Sequence, residues 1–120
     1  MHKHAVSFKH AGVGIWTALK TQINLRLHLF FALLASLAGL YFAISIIEWL
    51  FLILTITVVL IAELVNTSLE FTSDAISRKQ NPLIKQAKDV AAGSVLVSAI
   101  FALVVGLIIF LPRVINLIVI

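Results

Sequence analysis

Three apolar runs, residues 27–47, 49–76 and 90–111, limit what this chain can fold into. Each reaches the ~20 residues that an α-helix needs to cross a ~30 Å hydrocarbon core, and the second exceeds it. The chain has 120 residues, of which 62% are hydrophobic and 12% charged. A domain that small cannot turn so much apolar surface inward, so lipid is the solvent for most of it. The expected fold class is an all-α membrane protein with three transmembrane helices in a single domain.

The segments around these runs complete the layout. Over residues 5–27, Phe8, Gly12, Ile15, Trp16, Leu19, Ile23 and Leu27 share one side of a helix, with Lys9, Thr17, Lys20 and Asn24 on the other. That pattern suits a surface helix lying in the membrane interface. The first apolar run is too long for a signal-peptide core and reads as a retained span. Glu48 and Trp49 form a short hydrophilic break, "SRKQNP" at residues 77–82 breaks the second helix, and Pro112 is expected to end the third. Lys3, Lys9, Lys20 and Arg26 precede the first span, and Arg78, Lys79, Lys85 and Lys88 lie between the second and third. Three spans bring both groups to one side and leave Arg113 opposite. By the positive-inside rule the basic side, with the N-terminus, is cytoplasmic. The small residues of "AAGSVLVSA", residues 91–99, allow close helix contact and suggest a homo-oligomer.

The most informative stretch is "AELVNTSLEF", residues 62–71, which places Glu63, Asn66 and Glu70 directly after "WLFLILTITVVLI". Glu63, Glu70 and Asp74 are spaced by seven and four, so at about 100° per residue they line one stripe, with Asn66 on its flank. Glu63 falls ~21 Å from Trp49 along a helix, inside the cytoplasmic leaflet, while Glu70 and Asp74 reach its interface. Ionisable groups inside a span are costly and usually functional. Lys88 and Asp89 open the third span at the depth of Glu70 and Asp74. Each has a plainer reading as well: Asp89 as a charge in a helix's first turn, Lys88 as an anchor reaching the headgroups, Asn66 as an interhelical peg.

Other chemistries are poorly served. There is no cysteine, and His2, His4, His10 and His28 share no metal-ligand spacing, so they read as interfacial side chains. No G-x-x-x-x-G-K-[ST] loop occurs. The nine Lys and Arg against five Asp and Glu report orientation rather than nucleic-acid binding. Residue physics alone leaves two readings open: a lipid enzyme working at the cytoplasmic leaflet, or a proton-coupled small-molecule exporter using Glu63.

"AELVNTSLEFTSDAI" with the later "AKDVAAGSVL" resembles the bacterial integral-membrane diacylglycerol kinase/undecaprenol kinase family. "FKHAGVGIWTALKT", the "NLRLHL" lead-in to the first span and the "EW" break extend the likeness over most of the chain. The resemblance implies ATP- and Mg²⁺-dependent phosphorylation of a membrane lipid alcohol by a homotrimer with shared sites in the bacterial inner membrane. Matching positions make Glu63 the catalytic base and Asn66 an active-site polar contact. Glu70 becomes a ligand of the magnesium that accompanies ATP, and Lys88 faces the transferred phosphate. Asp89 and Asp74 join the nucleotide site. Gln22 stands where relatives commonly carry a metal-holding Glu, so it offers the metal an oxygen without a charge. The "EW" break, the "NLRLHL" lead-in and "NPLIKQAKD" resemble the undecaprenol kinase branch more than the diacylglycerol kinase branch.

Overall fold

A computed structural model describes residues 3–77, 79 and 81–119, with side chains from Ser7 onward. His2 and Arg78, and the side chains of Lys3 and His4, fall outside this description. The described residues form four helices: α1 Lys3–Thr21, α2 Ile23–Tyr41, α3 Ile46–Ile76 and α4 Pro82–Val119. The last three are long and apolar enough to cross a membrane. α3 packs most extensively on α4 and next on α2, and α1 docks against α2 and α3.

The helix ends differ from expectation in ways the local chemistry explains. The amphipathic pattern over 5–27 is two helices, divided at Gln22, whose backbone is extended (φ −111°, ψ 109°). Periodicity cannot register one extended residue, because the ladder barely lapses: Gln22 N–H donates to Ala18 O at 2.8 Å, and Gln22 O accepts from Arg26. The break between the first two spans is residues 42–45, not Glu48 and Trp49. Ala43 takes positive φ (51°), Ile44 N–H reaches back to Gly39 O and Ala43 N–H to Leu40 O. This pair of backward bonds closes a helix on a left-handed residue. Ser45 then caps α3: its hydroxyl accepts from Glu48 N–H and its own N–H donates to Glu48 Oε1. Glu48 is therefore a capping residue inside the helix.

Pro112 does not end α4, which continues to Val119. In a lipid-facing helix, abandoning the helical ladder would expose still more backbone polar groups, so a proline is accommodated. α4 also starts earlier than the third apolar run, at Pro82 rather than residue 90. Pro82 sits in the first turn, where its missing N–H costs nothing, and Asn81 Oδ1 accepts from Leu83 N–H at 2.9 Å.

Burial is unlike that of a water-soluble bundle. Large apolar side chains line the outside of α2, α3 and α4, while Thr55, Glu63, Asn66, Thr67, Ser73 and Ser98 are buried. Most of these hydroxyls bond within their own helices, Thr55 to Phe51 O at 2.6 Å, Thr67 to Glu63 O at 2.9 Å and Ser98 to Val95 O at 2.8 Å. A small apolar core of Ile44, Leu52 and Ile109 lies at the end holding the α2–α3 turn. Across that end, Arg113 of α4 forks both guanidinium nitrogens onto Glu48 of α3, at 2.7 and 2.8 Å. The opposite end collects α1 and the α3–α4 loop, with Lys9, Lys20, Arg26, Lys79, Lys85 and Lys88; we call it the basic end.

Candidate active site

Among the described residues Glu63 is the only buried carboxylate, 2% exposed, and it lies ~26 Å from the start of α3 at ~1.5 Å per residue. It faces α2, where His28 Nε2 stands 3.5 Å from its Oε1. At that distance the contact is just outside hydrogen-bond geometry, and Glu63 Oε1 has no hydrogen-bond partner. Asn66, one turn on, is also buried, and its Oδ1 is likewise unpartnered. Glu70 is half-buried a further turn along. The acidic stripe therefore exists as its spacing predicts, graded from a buried acid to an accessible one.

Beyond Glu70 the stripe meets α4. Asp74 Oδ1 accepts from Lys88 Nζ at 2.6 Å, joining the two long helices at the basic end. The pair borders a cavity of about 560 Å³ lined by Ser77, Lys79, Asn81, Pro82, Ile84 and Lys85. Asp89 turns elsewhere: it accepts from Lys85 at 2.7 Å, one turn back along α4 and exposed. Gln22 lies half-buried at the α1–α2 junction, where its amide donates to Thr21 Oγ1 at 3.3 Å. No hydrogen bond joins it to Glu70 among the described residues. A second cavity, about 440 Å³, separates α1 from α3 and is lined by Thr17, Thr67, Ser68 and Thr72 among others. A third, about 410 Å³ and almost wholly apolar, lies between α2, α3 and α4 with His28 at one end.

His28 is the site residue that sequence reasoning missed, having been read as an interfacial side chain. Pattern within one helix could not find it; hairpin register could. His28 lies 13 residues before the end of α2 and Glu63 lies 17 after the start of α3. Across an antiparallel pair the two depths differ by only ~6 Å, about one helical turn.

Among the described residues no three His, Asp or Glu side chains gather to hold a metal. Magnesium does not require such a cage: it keeps several waters and commonly takes one or two carboxylates plus substrate phosphates. Glu70, half-buried, and the unpartnered carbonyl oxygen of Asn66 one turn before it are oxygen donors of the type magnesium takes.

A carboxylate held inside a span, beside charged groups that open to water, suits an enzyme working where lipid meets an aqueous co-substrate. Comparison with known proteins agrees. Residues 9–110 match the family model described as prokaryotic diacylglycerol kinase. The undecaprenol kinase of Bacillus subtilis is 44% identical over 107 residues, covering 89% of this chain and 87% of that one. A diacylglycerol kinase of Synechocystis is 39% identical over 115 residues, 95% of this chain and 66% of the other. One from Helicobacter pylori is 39% identical over 75 residues, 62% of this chain and 56% of its own. The chain belongs to the prokaryotic diacylglycerol kinase family, and it is a membrane lipid kinase.

Proposed function

We propose that this lipid kinase transfers the γ-phosphoryl group of ATP, with Mg²⁺, to undecaprenol at the cytoplasmic leaflet. The observation that carries the reading is Glu63, buried in a span with a free oxygen and continued by Glu70, Asp74 and Lys88 towards the basic end. A lipid hydroxyl reaches the first from the bilayer; a nucleotide reaches the others from water. The choice of undecaprenol draws support from the 44% identity to a kinase of that name, which is matched over most of both chains.

In this reading Glu63 takes the proton of the lipid hydroxyl as that oxygen bonds to the γ-phosphorus. The bond from phosphorus to the bridging oxygen breaks, and ADP leaves. Phosphoryl transfer asks little covalent chemistry of a protein and much positioning and charge stabilisation. Lys88 supplies a cation to the transferred group, and Asp74 holds that ammonium on the α3 side until phosphate arrives. Asn66 presents its amide between the lipid and nucleotide ends. Asp89, released from Lys85, completes the nucleotide site. Glu70, Asn66 and Gln22 would hold the magnesium ion, which when bound neutralises phosphate charge. The basic end is cytoplasmic by the positive-inside rule. A homotrimer with sites shared between subunits draws support from Gly93 of α4, beside which there is open space for a neighbouring helix.

The test is purified protein in mixed micelles with Mg-ATP and either undecaprenol or diacylglycerol. Undecaprenyl phosphate should form at the higher kcat/KM. A preference for diacylglycerol reverses the substrate assignment, and no lipid phosphate from either refutes the reading.

A further inference from the structure

We propose that His28 is a positioning residue for the Glu63 carboxylate; the inference rests on Glu63 being the base that meets the lipid hydroxyl. An imidazole from the neighbouring helix stands 3.5 Å from the buried carboxylate, beside an oxygen that has no hydrogen-bond partner. The other polar groups nearby are spent. Thr67 donates to Glu63's own backbone carbonyl, and Ser94 and Ser98 of α4 donate to carbonyls of their own helix. Asn66 does not serve it either: its Oδ1 is an unpartnered acceptor, and its amide N–H₂ does not donate to Glu63 Oε1.

A carboxylate with one oxygen tethered has its second oxygen aimed. One with neither tethered rotates about its terminal torsion, which is broad and soft. An imidazole carrying a hydrogen on Nε2 provides the tether, and catalytic hydrogen bonds are often long before substrate is bound. The site supplies a reason for tightening. His28 also closes one end of the apolar cavity lined by Ala32 and Ala35 of α2, Val59 and Leu60 of α3, and Ala99 and Leu103 of α4. Its ring therefore stands between a lipid-like space and the carboxylate, 24% exposed against 2% for Glu63. A lipid hydroxyl arriving beside the ring displaces it towards Oε1.

The test compares His28→Leu, His28→Gln and His28→Asn with Glu63→Gln, each in micelles with Mg-ATP and the preferred lipid. Glutamine places an N–H close to the position of Nε2; asparagine falls short of it. Removing an orienting partner of this kind costs about 10- to 100-fold. His28→Leu should lose that factor in kcat, with KM for lipid and ATP within about twofold, and His28→Gln should recover most of it. If leucine prevents folding, judged by circular dichroism and detergent size exclusion, the Gln and Asn variants still decide. Gln well above Asn supports the tether; Gln equal to Asn, or a loss confined to KM, overturns it. An active Glu63→Gln would defeat the base assignment itself, whereas an inactive Glu63→Gln beside a fully active His28→Leu defeats only the role of His28.

Discussion

The two ends of α3 treat a carboxylate in opposite ways. At the turn end, Glu48 is only partly buried, yet both oxygens are filled by Ser45 N–H and the Arg113 fork. Near the basic end, Glu63 and Asn66 are more deeply buried and each keeps an oxygen without a partner. If stability alone governed the helix the pattern would be reversed, since an unsatisfied buried polar group costs about 1–3 kcal/mol. The same helix can satisfy an acid completely, so the empty oxygens at 63 and 66 fit the proposed reading, in which chemistry needs them open. Polar groups at the turn end hold the bundle together; on the proposed reading those near the basic end stay available for substrate.

The sharpest test of that contrast is Glu63→Gln. Losing a general base costs about 10²- to 10⁴-fold in rate. The variant should lose kcat by that order while its thermal transition in detergent stays level or rises, because a buried charge has been removed. A fall in stability comparable to that at the turn end would erase the distinction. Lys88→Met should come next, with kcat reduced about 10²-fold, the scale of losing one charge-stabilising donor. KM for ATP should rise while KM for lipid stays put. Arg113→Ala inverts the expectation: the thermal transition drops, but kcat per folded molecule remains within about twofold of wild type. A large kcat loss there, in protein shown to be folded, would mean that the turn end communicates with the site.

The acidic stripe was legible because it needs only the period of a single helix. Glu63, Asn66, Glu70 and Asp74 all sit on α3, and seven-and-four spacing aligns the three acids, with Asn66 on their flank, whatever else the chain does. The three long apolar helices were legible for the same reason. Facts about pairs of helices were not. His28 depends on the register between α2 and α3, and Lys88 finds Asp74 only because α4 packs back along α3. Asp89 illustrates the reverse difficulty, since a match to a family motif cannot say that Lys85, four residues earlier, holds the side chain. Pro112 was misread because propensity rules learned from water weigh backbone differently in lipid, where keeping the helical ladder outweighs one awkward residue; the division at Gln22 was missed because one extended residue leaves the period almost unchanged.

The smallest predicted effect lies in the turn between α2 and α3. Ala43 occupies positive φ (51°), a region that costs a residue with a Cβ about 1–2 kcal/mol. Glycine relieves that strain but enters the unfolded state with more conformational freedom, which returns part of the gain. Ala43→Gly should therefore raise stability by about 0.5 kcal/mol net, with kcat and both KM values unchanged. Four residues earlier the opposite holds: a Cβ on Gly39 would come 2.8 Å from Trp49 Cη2 and 3.1 Å from Ile44 Cδ1. The indole is large and packed against the apolar core, so it has little room to move. Gly39→Ala should lower the thermal transition, again without changing kcat per folded molecule. Opposite stability changes from two small substitutions in one turn, neither altering turnover, would show that this end of the bundle is tuned for folding alone. A change in turnover from either would instead make the turn part of the enzyme's working motion.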